Sequence, residues 1–236
     1  MAITKATGFI IKAFDYQESG RILTLLSPRL GKISLLAKGA RRIESRFGAA
    51  LDLLNLIEVI FYEGRGLKLL KEAALIEGYP ILKRDYDRLE AALQAARLLN
   101  LLLREGQGEG RAFKLFQELL QELDREQESL NLLQLGFKLK LVDFLGFGPE
   151  LESCASCRKG LARERAPSLS LQAGGLVCAD CKAPQDREVP PPLAQGWRAI
   201  LRFPLGKLTR LVLPDELISL GEELLDEFIA YHLQPI

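Results

Sequence analysis

Four cysteines, and only four, stand in two matched pairs, Cys154-Ala-Ser-Cys157 and Cys178-Ala-Asp-Cys181, with twenty residues between the pairs. A Cys-x-x-Cys turn brings two thiolates to one metal ion, and a second such turn completes a tetrahedron. A shell of four sulfurs keeps no position open for water. The expected cofactor is therefore one structural zinc ion, held by Cys154, Cys157, Cys178 and Cys181, and no chemistry is expected there. Two disulfides would need an oxidising compartment, and a redox Cys-x-x-Cys accounts for one pair only. An iron–sulfur cluster, or vestigial pairs, stay open as alternatives. The cysteines constrain the fold because they embed a small metal-stapled module, spanning about 152–184, within a chain of 236 residues.

The rest of the chain is long enough for two or three domains, and its 48% hydrophobic and 27% charged content is that of a folded globular protein. The first 80 residues alternate with a period of two. From Thr7 to Phe14, Phe9, Ile11 and Ala13 oppose Ile10, Lys12 and Phe14; strands also read at 21–27, 32–38, 55–62 and 67–77, with a hairpin turn at Gly64-Arg65-Gly66. Five short strands with one long basic connection predict a small closed barrel of the OB type. Beyond Pro80 the period becomes helical, with helices expected at 85–104, 111–125, Ser129 to Gly146, 193–203 and 215–233. The predicted fold is α+β and multidomain: an N-terminal OB-fold barrel followed by a helical bundle with an embedded four-cysteine zinc finger. Its expected parts are 1–80 (barrel), 81–150 (helical, first part), 151–186 (zinc finger) and 187–236 (helical, C-terminal part). The apolar stretch 98–103 is interrupted by Asn100 and is far short of the ~18 residues of a membrane span, and the N-terminus lacks a signal-peptide core. A cytoplasmic, nucleoid-associated protein without membrane contact is expected.

Charge is unevenly spread. Between residues 29 and 46 lie six basic side chains, Arg29, Lys32, Lys38, Arg41, Arg42 and Arg46, against the single acid Glu44, whereas 215–227 holds six acids and no base. One end suits a polyanion; the other would repel it. No catalytic constellation is visible: the lone His232 has no nucleophile to serve, and no nucleophile elbow, zincin or phosphate-loop motif occurs. A binding protein rather than an enzyme is expected, and Trp197 reads as a core anchor. The glycine-bounded stretch Gly39-Ala-Arg-Arg-Ile-Glu-Ser-Arg-Phe-Gly48 is the expected nucleic-acid contact, since guanidinium groups bind phosphate in a bidentate manner. Arg21, Lys32, Lys38, Arg41, Arg42 and Arg46 form the candidate set, with Phe14, Tyr16 and Phe47 as candidate platforms for stacked bases.

These residues also carry a resemblance. The blocks Tyr16-Gln-Glu-Ser-Gly-Arg-Ile-Leu-Thr-Leu-Leu26 and Gly31-Lys-Ile-Ser-Leu-Leu-Ala-Lys-Gly-Ala-Arg-Arg42, then Ser45-Arg46, a Leu-Gly-Phe-Gly-Pro motif at 145–149 and the two cysteine pairs resemble, in order, the RecO family of recombination mediators. One departure is Ser19-Gly20-Arg21, where the family often carries Asp-Lys; Arg21 keeps the charge. The resemblance implies an OB barrel, a helical bundle and an embedded zinc finger. It implies binding to single- and double-stranded DNA, annealing of complementary strands, and loading of RecA, in some lineages with RecF, onto DNA coated by single-strand-binding protein (SSB), with RecR as partner. It further implies capture of the acidic, apolar-ended SSB tail. Arg97, Arg104, Lys138 and Lys140, beside the Leu-rich faces 98–103 and 139–145, are the expected receptor. A zinc-ribbon adaptor that binds RNA or the transcription machinery is the competing expectation, and a metal hydrolase would need an open site that four cysteines do not leave.

Overall fold

The computed structural model describes residues 2–42, 44–64, 66–125, 130–162 and 167–233. The expected hairpin residue Arg65 and the expected helix start at Ser129 lie outside them. The chain divides into two compact units, Met1–Gln127 and Glu128–Ile236.

In the first unit five strands close a barrel: β1 (Ile3–Tyr16), β2 (Gly20–Ser27), β3 (Gly31–Ala37), β4 (Leu56–Tyr62) and β5 (Lys68–Glu77), in the order β1-β2-β3-β5-β4. Closure needs β1 to be long. Its first half pairs with β4, from Ile3 opposite Tyr62 to Phe9 opposite Leu56, and its second half with β2. Strands β3 and β5 meet in parallel at Leu35 and Leu36 against Lys68 and Leu69, which gives the OB topology. Inward residues follow the alternation on β3 (Ile33, Leu35, Ala37) and β4 (Ile57, Val59, Phe61). Strand β1 departs from it. Ile10 lies opposite Leu25 but Lys12 lies opposite Thr24, so Ile11 is the extra residue of a β-bulge. The bulge flips the parity, and Ala13 joins Ile10 in the barrel instead of sharing a face with Phe9 and Ile11 as the simple alternation predicts. Phe9 points to the other side, with Phe113 at 5.0 Å and Phe116 edge-on at 5.2 Å.

Three helices complete this unit. Pro80 opens α1 (Pro80–Arg84), and the Asp85 side chain accepts the N–H of Arg88 at 3.0 Å to cap α2 (Tyr86–Leu102). Helix α3 (Gly110–Leu123) carries the Phe113 and Phe116 that cover Phe9. The connection between α2 and α3 lies so close to the β2–β3 turn that a Cβ on Gly31, whose φ is +66°, would stand 2.0 Å from the carbonyl oxygen of Gln107. Only glycine fits there.

In the second unit α4 (Leu130–Phe144) buries Leu132, Leu133, Leu135, Leu139 and Leu141 against α5 (Pro191–Arg202) and α6 (Asp215–His232). Trp197 is fully buried on α5, as its role of core anchor predicts. Between α4 and α5 the cysteine module forms a small sheet of β6 (Ser168–Ser170), β7 (Gly175–Val177) and β8 (Arg187–Glu188), in the order β7-β6-β8. The acidic helix is partly neutralised within this unit: Arg187 reaches Glu227 at 2.8 Å and Glu223 at 2.9 Å, and Lys138 reaches Asp226 at 2.7 Å. No described helix is long and apolar enough to cross a membrane.

Candidate nucleic-acid interface and metal centre

The β1–β2 hairpin and the start of the β3–β4 connection build one cleft. Because side chains alternate and Ile11 has shifted the parity, Lys12, Phe14 and Tyr16 project from the outer face of β1. Register places Tyr16 opposite Gly20 and Phe14 opposite Ile22, with Leu36 of β3 opposite Ile22 in turn. Phe14 is 46% exposed with the Lys12 ammonium 5.7 Å from its ring centre, and Tyr16 is 37% exposed. At the open end lies a cleft of about 560 Å³ lined by Tyr16, Gln17, Glu18, Ser19, Leu36, Lys38 and Arg42. Gly39, at φ +72°, turns the chain out of β3 so that Lys38 and Arg42 both face this cleft. The Arg41 N–H donates to the Ser19 carbonyl at 3.0 Å, and its Nη1 to the Glu18 carbonyl at 3.4 Å, which pins the loop to the hairpin turn. Asp15 accepts a hydrogen bond from Arg21 Nε at 3.4 Å on one oxygen and forms an ion pair with Arg41 Nε at 3.3 Å through the other.

The candidate basic residues thus separate. Arg21, Lys38, Arg41 and Arg42 gather at this end of the barrel. Arg46 stacks over Phe47, 5.0 Å from its ring centre, in a recess that also holds Glu58 and Glu72. Lys32 is corrected: at 8% exposure it is buried, and its ammonium donates to the carbonyl of Asn100 in the last turn of α2 at 2.5 Å. There it answers an unpaired helix carbonyl, and burial lowers its pKa from the ordinary lysine value. Phe47 is also corrected. At 4% exposure it is part of the barrel core, because the basic connection folds back to plug the barrel with Phe47 and Leu51. Asp15 is the residue that sequence reasoning missed. An acid between strand residues carries no binding signal until the register sets it opposite Arg21.

Of the expected tail receptor, Arg97 and Arg104 belong to the first unit and Lys138 and Lys140 to the second. Arg97 pairs with Glu90 of its own helix at 2.6 Å, and Arg104 is exposed just beyond the end of α2. Lys138 is held by Asp226, and Lys140 donates to the Leu201 carbonyl at 3.3 Å. Leu139 between them is bundle core, and the two lysines tie α4 to α6 and to the end of α5.

The four cysteines meet as the spacing predicts. All four sulfurs lie within 4.8 Å of one another, and Cys157 Sγ and Cys178 Sγ are 3.8 Å apart. Zinc–sulfur bonds of about 2.3 Å in a tetrahedron require sulfurs about 3.8 Å apart, so the set fits a four-sulfur metal ion. Local structure supports it. The Glu150 Oε1 accepts the N–H of Glu152 at 2.9 Å and of Ser153 at 3.1 Å at the entrance to the first knuckle. These N–H groups, that of Ser153 foremost, and the Arg158 guanidinium outweigh burial and hold the Glu150 carboxyl below the usual range. Burial pushes the Cys154 thiol up, but N–H groups from Cys157, Cys178 and Ser156 directed at its sulfur bring it down to about 6. Bonding to the Cys178 and Cys157 sulfurs pushes Cys181 up to about 12. Four crowded sulfurs cannot all carry charge alone; a shared dication lets them do so.

A closed barrel of OB topology with a basic cleft, followed by helices with an embedded four-cysteine cluster, defines a class of barrel-and-helix proteins. The family models divide the chain directly after the barrel rather than between the two compact units: residues 1–79 match Recombination protein O N terminal and residues 83–235 match Recombination protein O C terminal. The chain belongs to the RecO family of DNA-repair and recombination proteins. It is similar to proteins named DNA repair protein RecO: that of Rubrobacter xylanophilus at 31% identity (88% of this chain, 84% of the relative) and that of Desulforamulus reducens at 30% (99% and 91%). That of Myxococcus xanthus is 32% identical (95% of this chain, 90% of the relative).

Proposed function

We propose that this protein is a non-enzymatic mediator of DNA repair and homologous recombination. It binds single- and double-stranded DNA, anneals complementary strands, and helps load RecA onto SSB-coated DNA with RecR as partner, and with RecF where that protein is present. One observation carries the reading: the cleft that joins Lys38 and Arg42 to the exposed ring of Tyr16, in a chain that matches the RecO family over both its N- and C-terminal parts. Cations set along a cleft neutralise backbone phosphates without regard to sequence, and exposed aromatic faces take unpaired bases with little preference. Arg21 and Arg41 extend the basic surface; Arg46, among acids, is its weakest member. The metal at Cys154, Cys157, Cys178 and Cys181 is one structural zinc, because a soft, closed four-thiolate set suits that ion and leaves no catalytic position. The protein acts in the cytoplasm, at the nucleoid.

The test is a salt titration of binding to oligonucleotides, joined to an annealing assay with and without SSB. Salt-dependent, sequence-tolerant binding and faster annealing of SSB-coated complements support the proposal. A preference for structured RNA without annealing overturns it in favour of an RNA-binding adaptor.

A further inference from the structure

Asp15 and its two arginines share a geometry that the DNA-binding reading leaves unused. The carboxylate splits its oxygens between two guanidiniums: Oδ1 lies 3.4 Å from Arg21 Nε, and Oδ2 lies 3.3 Å from Arg41 Nε. The two arginines come from different elements. Arg21 is the register partner of Asp15 across the β1–β2 hairpin, and Arg41 is fixed by the Ser19 and Glu18 carbonyls. None of the three side chains is buried. Without Asp15 two like charges would face each other across the hairpin end, so the acid is what permits their approach.

A phosphodiester offers two non-bridging oxygens and one negative charge, as a carboxylate does, and arginine accepts either in the same way. We propose that the Arg21–Arg41 pair is a seat for one backbone phosphate of bound DNA, and that Asp15 is the resident anion which the phosphate displaces. Asp15 and Tyr16 are neighbours on one strand and point to opposite faces, as do the uses of Arg41 and Arg42: Arg42 lines the outer cleft with Tyr16, while Arg41 sits on the Asp15 side. The nucleic-acid backbone accordingly passes from the outer cleft around the hairpin end to this second position. Asp15 sets the strength of the contact by competing for it. An exposed ion pair is weak enough to be exchanged, and a protein that must hand its DNA on gains from a contact that the polymer can enter and leave. This inference rests on the DNA-binding reading above.

The experiment compares the full-length, zinc-loaded protein with Asp15→Asn and Glu44→Gln in salt titrations against a fluorescent oligo(dT). Both variants add one unit of net charge, but only Asp15 lies on the two guanidiniums. Asp15→Asn is expected to tighten binding about two- to fivefold, the range that an exposed ion pair spans. It is also expected to steepen the slope of log K against log salt by about 0.7, because the seated phosphate then releases its counterion with no displaced carboxylate to take one up. Glu44→Gln leaves the slope unchanged. Adding Arg41→Ala to Asp15→Asn abolishes the gain in a double-mutant cycle. Equal gains in the two single variants reduce the effect to net charge and overturn the proposal. Weaker binding by a folded Asp15→Asn also overturns it, since Asp15 would then position the arginines instead. Absence of binding by the wild-type protein sinks the DNA reading itself, which is a separate result.

Discussion

Single side chains at the barrel end divide into those that face solvent and those that hold the fold, and charge alone does not separate them. Lys38 and Arg42 line the cleft, whereas Lys32, six residues from Lys38, is spent on the Asn100 carbonyl. Replacing Arg41 and Arg42 by Ala is expected to weaken DNA binding alike for all sequences and to flatten its salt dependence by up to about 1.4–1.8 in slope, two phosphates' worth. Fluorescence titration at several salt concentrations measures it. Lys32→Ala is expected to do the reverse: a loss of about 1–2 kcal/mol of stability in denaturant melts, from an unsatisfied helix carbonyl, with unchanged affinity for oligonucleotides once the protein is folded. A Lys32→Ala variant as stable as wild type but deficient in binding would return Lys32 to the interface.

Among the elements, turns and bulges decide what the strands present. The Ile11 bulge reverses the parity of β1 and so turns Phe14 and Tyr16 outward while Ala13 faces the barrel. Gly31 lets the α2–α3 connection lie on the β2–β3 turn. Gly31→Ala is expected to destabilise the first unit by at least about 2 kcal/mol, from a disfavoured φ and a direct clash, as read by its unfolding midpoint. In the cysteine module the entrance turn depends on Glu150. Its carboxyl is held below the ordinary value of 4.5, so the folded state binds fewer protons than the unfolded chain as the pH falls past that value. Its stabilisation is complete above pH of about 4.5 and disappears as the pH drops through the depressed value. The melting-temperature difference between wild type and Glu150→Gln should accordingly be largest near neutrality and vanish in acid. A difference that grows in acid would contradict this assignment.

On the scale of the whole molecule, the cysteine quartet and the proposed DNA cleft belong to different units, and the consequences of altering either should be separable. Elemental analysis should return one zinc per chain, and Cys154→Ser with Cys157→Ser should abolish it. Removing the metal with a chelator should raise amide exchange in the module around β6 and β7 while leaving the strands of the barrel protected. Zinc retained by the double variant, or barrel strands that open on chelation, would contradict this picture. The acidic helix that looks repulsive to DNA as bare sequence is tied to Arg187 and Lys138 within its own unit, which lowers the charge it presents.

Local patterns were enough to determine the five strands, the long helices and the cysteine quartet, because period, capping residues and metal-ligand spacing each act over a few neighbouring residues. The parity of β1 was not legible, since a bulge is seen only when two strands are paired and one residue is left over. Nor was the fate of Lys32, Phe47, Lys138 and Lys140, whose side chains read as exposed until a partner distant in sequence covers or binds them. The same holds for Asp15. That it stands between Arg21 and Arg41 follows from a strand register and from a loop pinned to a hairpin, and long-range pairing of this kind exists only in the folded chain.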